Sequence, residues 1–154
     1  MNEYKHTNRL GDENLIMAMK SLATPYILTA DIGGSHVTAG ICDLRTYTIP
    51  KQSIVRAEVN SKGPANSILN VWGNAFEQVL KQNSELQISG IGIAMPGPFD
   101  YEKGISYITG LSKYEALFGL DIKQYFAALL KLGPQLVRFR NDAESTIIRH
   151  RNIG

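Results

Sequence analysis

Three short segments of this chain hold residue types whose spacing could do chemistry. The first, Asp31-Ile32-Gly33-Gly34-Ser35-His36, ends a run of largely apolar residues. Two glycines at a strand end leave backbone N–H groups bare and tolerate positive φ, so such a turn can hold phosphate oxygens. Asp31 could hold a magnesium ion there, directly or through water, because hard cations prefer carboxylate oxygens. The competing reading is a tight hairpin turn that needs glycine for itself, with Asp31 solvated, and local physics alone leans that way. No Gly-Lys-Ser/Thr follows, and the spacing is not that of a dinucleotide fingerprint, so neither of those phosphate motifs applies.

The second segment is Gly90-Ile91-Gly92-Ile93-Ala94-Met95-Pro96-Gly97-Pro98-Phe99-Asp100. A buried strand that delivers a stiff Pro-Gly-Pro loop offers backbone a small ligand can approach, at the kind of strand end where open α/β sheets bind ligands. A purely structural loop explains it equally well. The third, Asn141-Asp142-Ala143-Glu144, reads first as a capping box, with Asn141 as N-cap and Glu144 three residues on. A carboxylate at Asp142 would also stand at the mouth of a sheet and could accept a proton from a substrate hydroxyl. A helix N-terminus beside it favours the charged form.

These segments need a frame to bring them together. Residues 1–24 read as a polar tail or weak helix, bounded by Pro25. Residues 26–32 and 36–43 are β-rich runs around the glycine pair, which predicts a hairpin. Residues 53–59 read as a half-exposed third strand. Ile68, Trp72, Ala75, Phe76 and Val79 recur at helical spacing and predict an amphipathic helix over 65–82. Residues 87–95 form a buried strand that Pro96-Gly97-Pro98 stops. Short helices are expected at 113–118 and 122–131, a fifth strand at 135–140, and a last helix from Asn141 onward. The order is βββαβαβα, an α/β layer with a hairpin-rich half and a parallel half.

The chain has 154 residues, 44% of them apolar and 19% charged, which is globular composition for one domain. Sixteen basic against fourteen acidic residues give a net charge of +2, too weak a field to make nucleic acid or anionic membrane the expected partner. No apolar run approaches the roughly 18 residues of a spanning helix. The single cysteine, Cys42, allows no internal disulfide and fits a reducing, cytoplasmic compartment.

In this order, the three segments resemble those of the ROK-family sugar kinases, within the actin/hexokinase-like superfamily. Ala30 to His36 is similar to the family's first phosphate motif, Gly90 to Asp100 to its sugar-site segment, and Asn141-Asp142-Ala143 to its sugar-binding and catalytic pair. The resemblance covers about residues 25–145. It implies a ribonuclease H-like lobe with a mixed five-stranded sheet over residues 25–154. It further implies an ATP- and magnesium-dependent kinase acting on a hexose or N-acetylhexosamine. Asp142 would be the general base and Asn141 a ligand of sugar hydroxyls. Gly97 and Pro98 would line the sugar pocket, and Asp31, Gly33, Gly34 and Ser35 would face the phosphates and magnesium. Ser35 and His36 depart from the usual Thr and Lys. The family's second lobe, with its adenosine pocket and zinc site, is not in this chain. One lobe is therefore expected to be inactive alone and to self-associate through its exposed interface. The alternative within the family is a non-catalytic sugar-binding regulator, although 24 residues ahead of Pro25 are too few for a winged DNA-binding domain.

Overall fold

A computed structural model describes residues 24–142 of the chain. The tail expected before Pro25 and the helix expected after Asn141 lie almost wholly outside the described residues. Strands β1 (Tyr26–Ile32) and β2 (His36–Asp43) pair antiparallel, with Ile32 opposite Val37, so the hairpin turn is Gly33–Ser35 as expected. Strand β3 (Val55–Glu58) adds to β2 and starts later than the sequence pattern predicts. A short 3₁₀ turn, Lys51–Ser53, takes the place of its first residues. There the Ser53 hydroxyl donates to the Pro50 carbonyl at 2.7 Å and accepts from the Ile41 N–H at 3.1 Å.

Helix α1 (Ala65–Gln82) has the predicted limits, opened by Pro64 and burying Ile68, Trp72, Phe76 and Val79 on one stripe. Strand β4 (Ile88–Met95) then runs parallel to β1. Residues 99–106, expected to be loop, form a small hairpin of β5 (Phe99–Asp100) and β6 (Ile105–Ser106). The helix expected at 113–118 is a single 3₁₀ turn, Glu115–Leu117. Helix α2 (Ile122–Leu130) is capped by Asp121, whose carboxylate accepts the Gln124 N–H at 2.9 Å. Strand β7 (Val137–Asn141) runs parallel to β4 and completes a mixed sheet of order β3-β2-β1-β4-β7.

Both helices pack on one face of this sheet. Alternation sends Leu28, Ala30 and Ile32 of β1, Ile91, Ile93 and Met95 of β4, and Val137 and Phe139 of β7 into that layer. There they meet Trp72, Phe76, Ile122 and Phe126, and the Phe76 and Phe126 rings stand 4.8 Å apart. The layer fixes the pitch of β1, β4 and β7. That pitch aligns the carboxyl ends of the three parallel strands.

Candidate functional site

Three parallel strands finish in one row. Asp31 of β1 sits beside Ala94 of β4, which sits beside Arg140 of β7; one residue on, Met95 pairs with Asn141. The segments that follow, Gly33–Ser35, Pro96–Pro98 and Asp142, therefore all leave the sheet at its carboxyl edge. Two strand spacings of about 4.8 Å separate the outer two, so roughly 10 Å lies between them.

At the β1 end the chain forms an open cavity of about 390 Å³ lined by Asp31, Gly33, Gly34, Ser35, His36, Thr38 and Arg56. The turn is braced from two sides. The Gly33 N–H donates to the His36 carbonyl at 2.8 Å, and the Val59 N–H donates to the Ser35 carbonyl at 2.9 Å. Among the described residues no hydrogen bond engages the N–H of Gly34 or Ser35. Neither glycine has the positive φ that a tight turn can demand of glycine. A Cβ on Gly34 would touch only the Lys113 side chain, at 3.7 Å. Neither backbone conformation nor packing requires glycine at 34, which weighs against the turn-only reading. What its absence of side chain provides is open space over two bare amides. The donor set fits a magnesium ion bound with phosphate: one carboxylate, Asp31, at the rim, since Mg²⁺ keeps waters and substrate oxygens for its other positions.

Tyr114 supports this turn from below. It is fully buried, packs on the Trp72 ring at 5.2 Å, and its hydroxyl donates to the Gly33 carbonyl. Burial pushes that hydroxyl up to about 12, with the nearby Trp72 indole offsetting a small part. The Tyr114 N–H in turn donates to the Ser61 carbonyl at 2.7 Å. Tyr114 was not singled out by sequence; eighty-one positions separate it from Gly33.

At the other end of the row Asn141 is the last residue of β7, and the helix it was expected to cap lies beyond the described residues. Its Nδ2 donates to the Tyr101 hydroxyl at 3.0 Å, and that hydroxyl donates to the Met95 carbonyl at 2.9 Å. The same hydroxyl stands 3.1 Å from where a Cβ on Gly97 would be. Tyr101 thus holds Asn141, caps β4 and crowds any side chain at 97, roles that local pattern did not reveal. The Gly97–Pro98 peptide is cis. Asp142 follows Asn141 directly, half-buried at the same edge. Glu144, the other half of the expected capping box, lies outside the described residues.

On the sheet face away from the helices, Ile27, Thr29, Ile49, Ile54, Ala94 and Arg140 border an apolar groove of about 290 Å³. Asp31 and Thr38 border both this groove and the cavity at the β1 end. Among the described residues, no group of three or more His, Cys, Asp or Glu has the arrangement of a metal centre, and no helix is long and apolar enough to cross a membrane.

Comparison with solved structures places this arrangement. An inorganic polyphosphate/ATP-glucomannokinase from Arthrobacter sp. strain KM superposes with a TM-score of 0.64 at 20% identity, over 82% of this chain and 48% of that one. A ROK-family glucokinase from Streptomyces griseus, solved with glucose and AMPPNP, gives 0.63 at 18% identity over 79% and 35%. This is the fold of the ROK sugar kinases. A ROK-family transcriptional regulator, homologous to E. coli MLC protein, has it too: 0.63 at 15% identity over 78% and 28%. The chain spans between about a quarter and a half of the length of these proteins. No family model and no curated protein matches the chain.

Proposed function

We propose that this chain supplies the phosphate- and sugar-binding lobe of a cytoplasmic ROK-family carbohydrate kinase, which transfers a phosphoryl group from ATP to a hydroxyl of a hexose or N-acetylhexosamine. The observation that carries the reading is the shared row of Asp31, Ala94 and Arg140, just beyond which the three segments open onto one edge about 10 Å across. That span accommodates a sugar next to the end of a triphosphate.

In this reading Asn141, held by Tyr101, hydrogen-bonds sugar hydroxyls, and the Gly97-Pro98 loop forms a wall of the sugar pocket. Asp142 accepts the proton of the attacking hydroxyl as its oxygen bonds to the γ-phosphorus. The bond from that phosphorus to the β,γ-bridging oxygen breaks, and ADP leaves with the electron pair. The amides of Gly34 and Ser35 receive phosphate oxygens, and Asp31 faces the magnesium side of the phosphate chain. Magnesium, when bound, neutralises phosphate charge. The protein's contribution is mainly positioning, as phosphoryl transfer requires.

The likeness to a ROK regulator supports a second reading, in which the same edge binds a sugar without transferring phosphate. The two separate in one pair of titrations on the 154-residue chain, with a panel of hexoses and N-acetylhexosamines and with Mg·ATP. The kinase reading expects both ligands to bind, the sugar weakly. Sugar binding without any phosphate binding would favour the regulator, and binding of neither would overturn both.

A further inference from the structure

We propose that Lys113 is a phosphate-contacting residue of this site, delivered to the Gly33–Ser35 turn from a separate part of the chain. The inference rests on the phosphate reading of that turn and adds the cation it needs. A phosphate chain there would meet the negative charge of Asp31, so the cavity must supply positive charge of its own. Two basic side chains, His36 and Arg56, line it, and a third, Lys113, borders the adjacent cavity with Ser61 and Glu115 and reaches the turn from there. The His36 ring is engaged by the Ser35 hydroxyl at 2.9 Å and lies 3.9 Å from the Glu58 carboxylate. Arg56 lies exposed on the edge strand β3, at the rim. Lys113 is different: its Nζ stands 3.7 Å from the place of a Gly34 Cβ, directly over the space that glycine leaves open.

The backbone around Lys113 holds it there. Ser112 and Tyr114, its two neighbours, both have left-handed φ of 57°, which non-glycine residues rarely adopt and surrounding contacts must impose. The contacts that impose it are those of Tyr114, bonded to the Gly33 carbonyl and the Ser61 carbonyl. Thus the residue that braces the turn also aims its neighbour's ammonium at it. Among the described residues Lys113 forms no ion pair, although Glu115 is two positions away. A half-buried lysine with no carboxylate partner, beside two bare amides, is the donor set of an anion site. Its ligand is a phosphate chain, from a nucleotide or from inorganic polyphosphate.

The test is calorimetric titration of the full chain at low salt with tripolyphosphate and, separately, with Mg·ATP. Lys113→Met removes the charge at constant length; Lys113→Arg keeps it; hexose titration and thermal melting serve as controls. We expect Lys113→Met to weaken both phosphate ligands about tenfold or more, with hexose affinity and melting unchanged, and Lys113→Arg to restore most of the loss. Unchanged phosphate affinity in Lys113→Met, with affinity lost in Gly34→Val, would overturn the role of Lys113 and leave the phosphate turn standing. Weakening of Mg·ATP alone would place Lys113 on the nucleoside and also overturn it. No phosphate binding by the unsubstituted chain would overturn the turn's role and the inference together.

Discussion

Replacing Tyr114 by Phe removes one hydroxyl and leaves the ring against Trp72, so its effect can be worked through. At neutral pH the loss is a single hydrogen bond from a fully buried donor to the Gly33 carbonyl, which is half-buried and can be rehydrated. That is about 1 kcal/mol of stability, or roughly 3 °C in melting temperature for a domain of this size. At alkaline pH the sign reverses. The Tyr114 hydroxyl titrates near 12 in the folded protein against 10.0 for an ordinary tyrosine, because burial disfavours the phenolate. A folded pKa raised above the unfolded one contributes stability that is whole below pH 10 and is lost as pH rises through 12. Two units at about 1.4 kcal/mol each make that loss about 2–3 kcal/mol, which the Phe variant does not suffer. The unsubstituted chain should therefore be the more stable at pH 8 and the less stable by pH 12, the curves crossing between about pH 10 and 11. Urea unfolding followed by fluorescence of the single, buried Trp72 measures this, with the other tyrosines common to both proteins. Parallel curves with no crossing would refute the burial argument and the Tyr114–Gly33 bond with it.

Gly34→Val should weaken tripolyphosphate binding by more than tenfold while moving the melting temperature little, since φ is not positive there and only Lys113 stands near the new side chain; equal loss of sugar binding would make Gly34 a turn residue. Asp142→Asn should leave hexose affinity largely intact and lower phosphoryl transfer about 10²–10⁴-fold in any preparation that shows it; unchanged turnover would remove Asp142 as the base. Gly104→Ala should cost about 2–4 kcal/mol in urea unfolding. Gly104 has φ of +74°, and a Cβ there would lie 2.3 Å from that of Lys123, so a near-native midpoint would contradict the packing of the β5–β6 hairpin on α2. In a coupled assay with ATP, magnesium and a hexose panel, residues 1–154 alone should show no turnover, because such kinases close two lobes to exclude water; robust turnover would show that one lobe suffices.

What could be read from the residues follows the range of the physics behind each feature. The β1–β2 hairpin and helix α1 appear at their expected limits because period-two and period-3.6 patterns are local and long enough to register. The β5–β6 hairpin escaped, since two-residue strands carry no period, and the start of β3 shifted because the Ser53 hydroxyl found tertiary partners in Pro50 and Ile41. Among the candidate site residues, Asp31, the glycines and Asn141-Asp142 stood out by type and by position at strand ends. Tyr101, Lys113 and Tyr114 did not, because each meets a residue 40, 79 or 81 positions away, and locally each looks like an ordinary aromatic or a solvated lysine. Turn chemistry allows positive φ at Gly33 and Gly34, yet the bond from Val59 to Ser35 and the closing bond from Gly33 to His36 hold the turn without it.

The central claim, that one sheet edge binds phosphate at one end and sugar at the other, is tested most directly by amide NMR. The ¹⁵N-labelled chain would be titrated first with Mg·ATP and then with glucose and N-acetylmannosamine. The account predicts shifts at Gly33, Gly34 and Ser35 with the nucleotide, and at Gly97 and the Asn141 side-chain amide with a sugar. Shifts confined to the apolar groove around Ile27 and Ile54, or none at millimolar ligand, would contradict it.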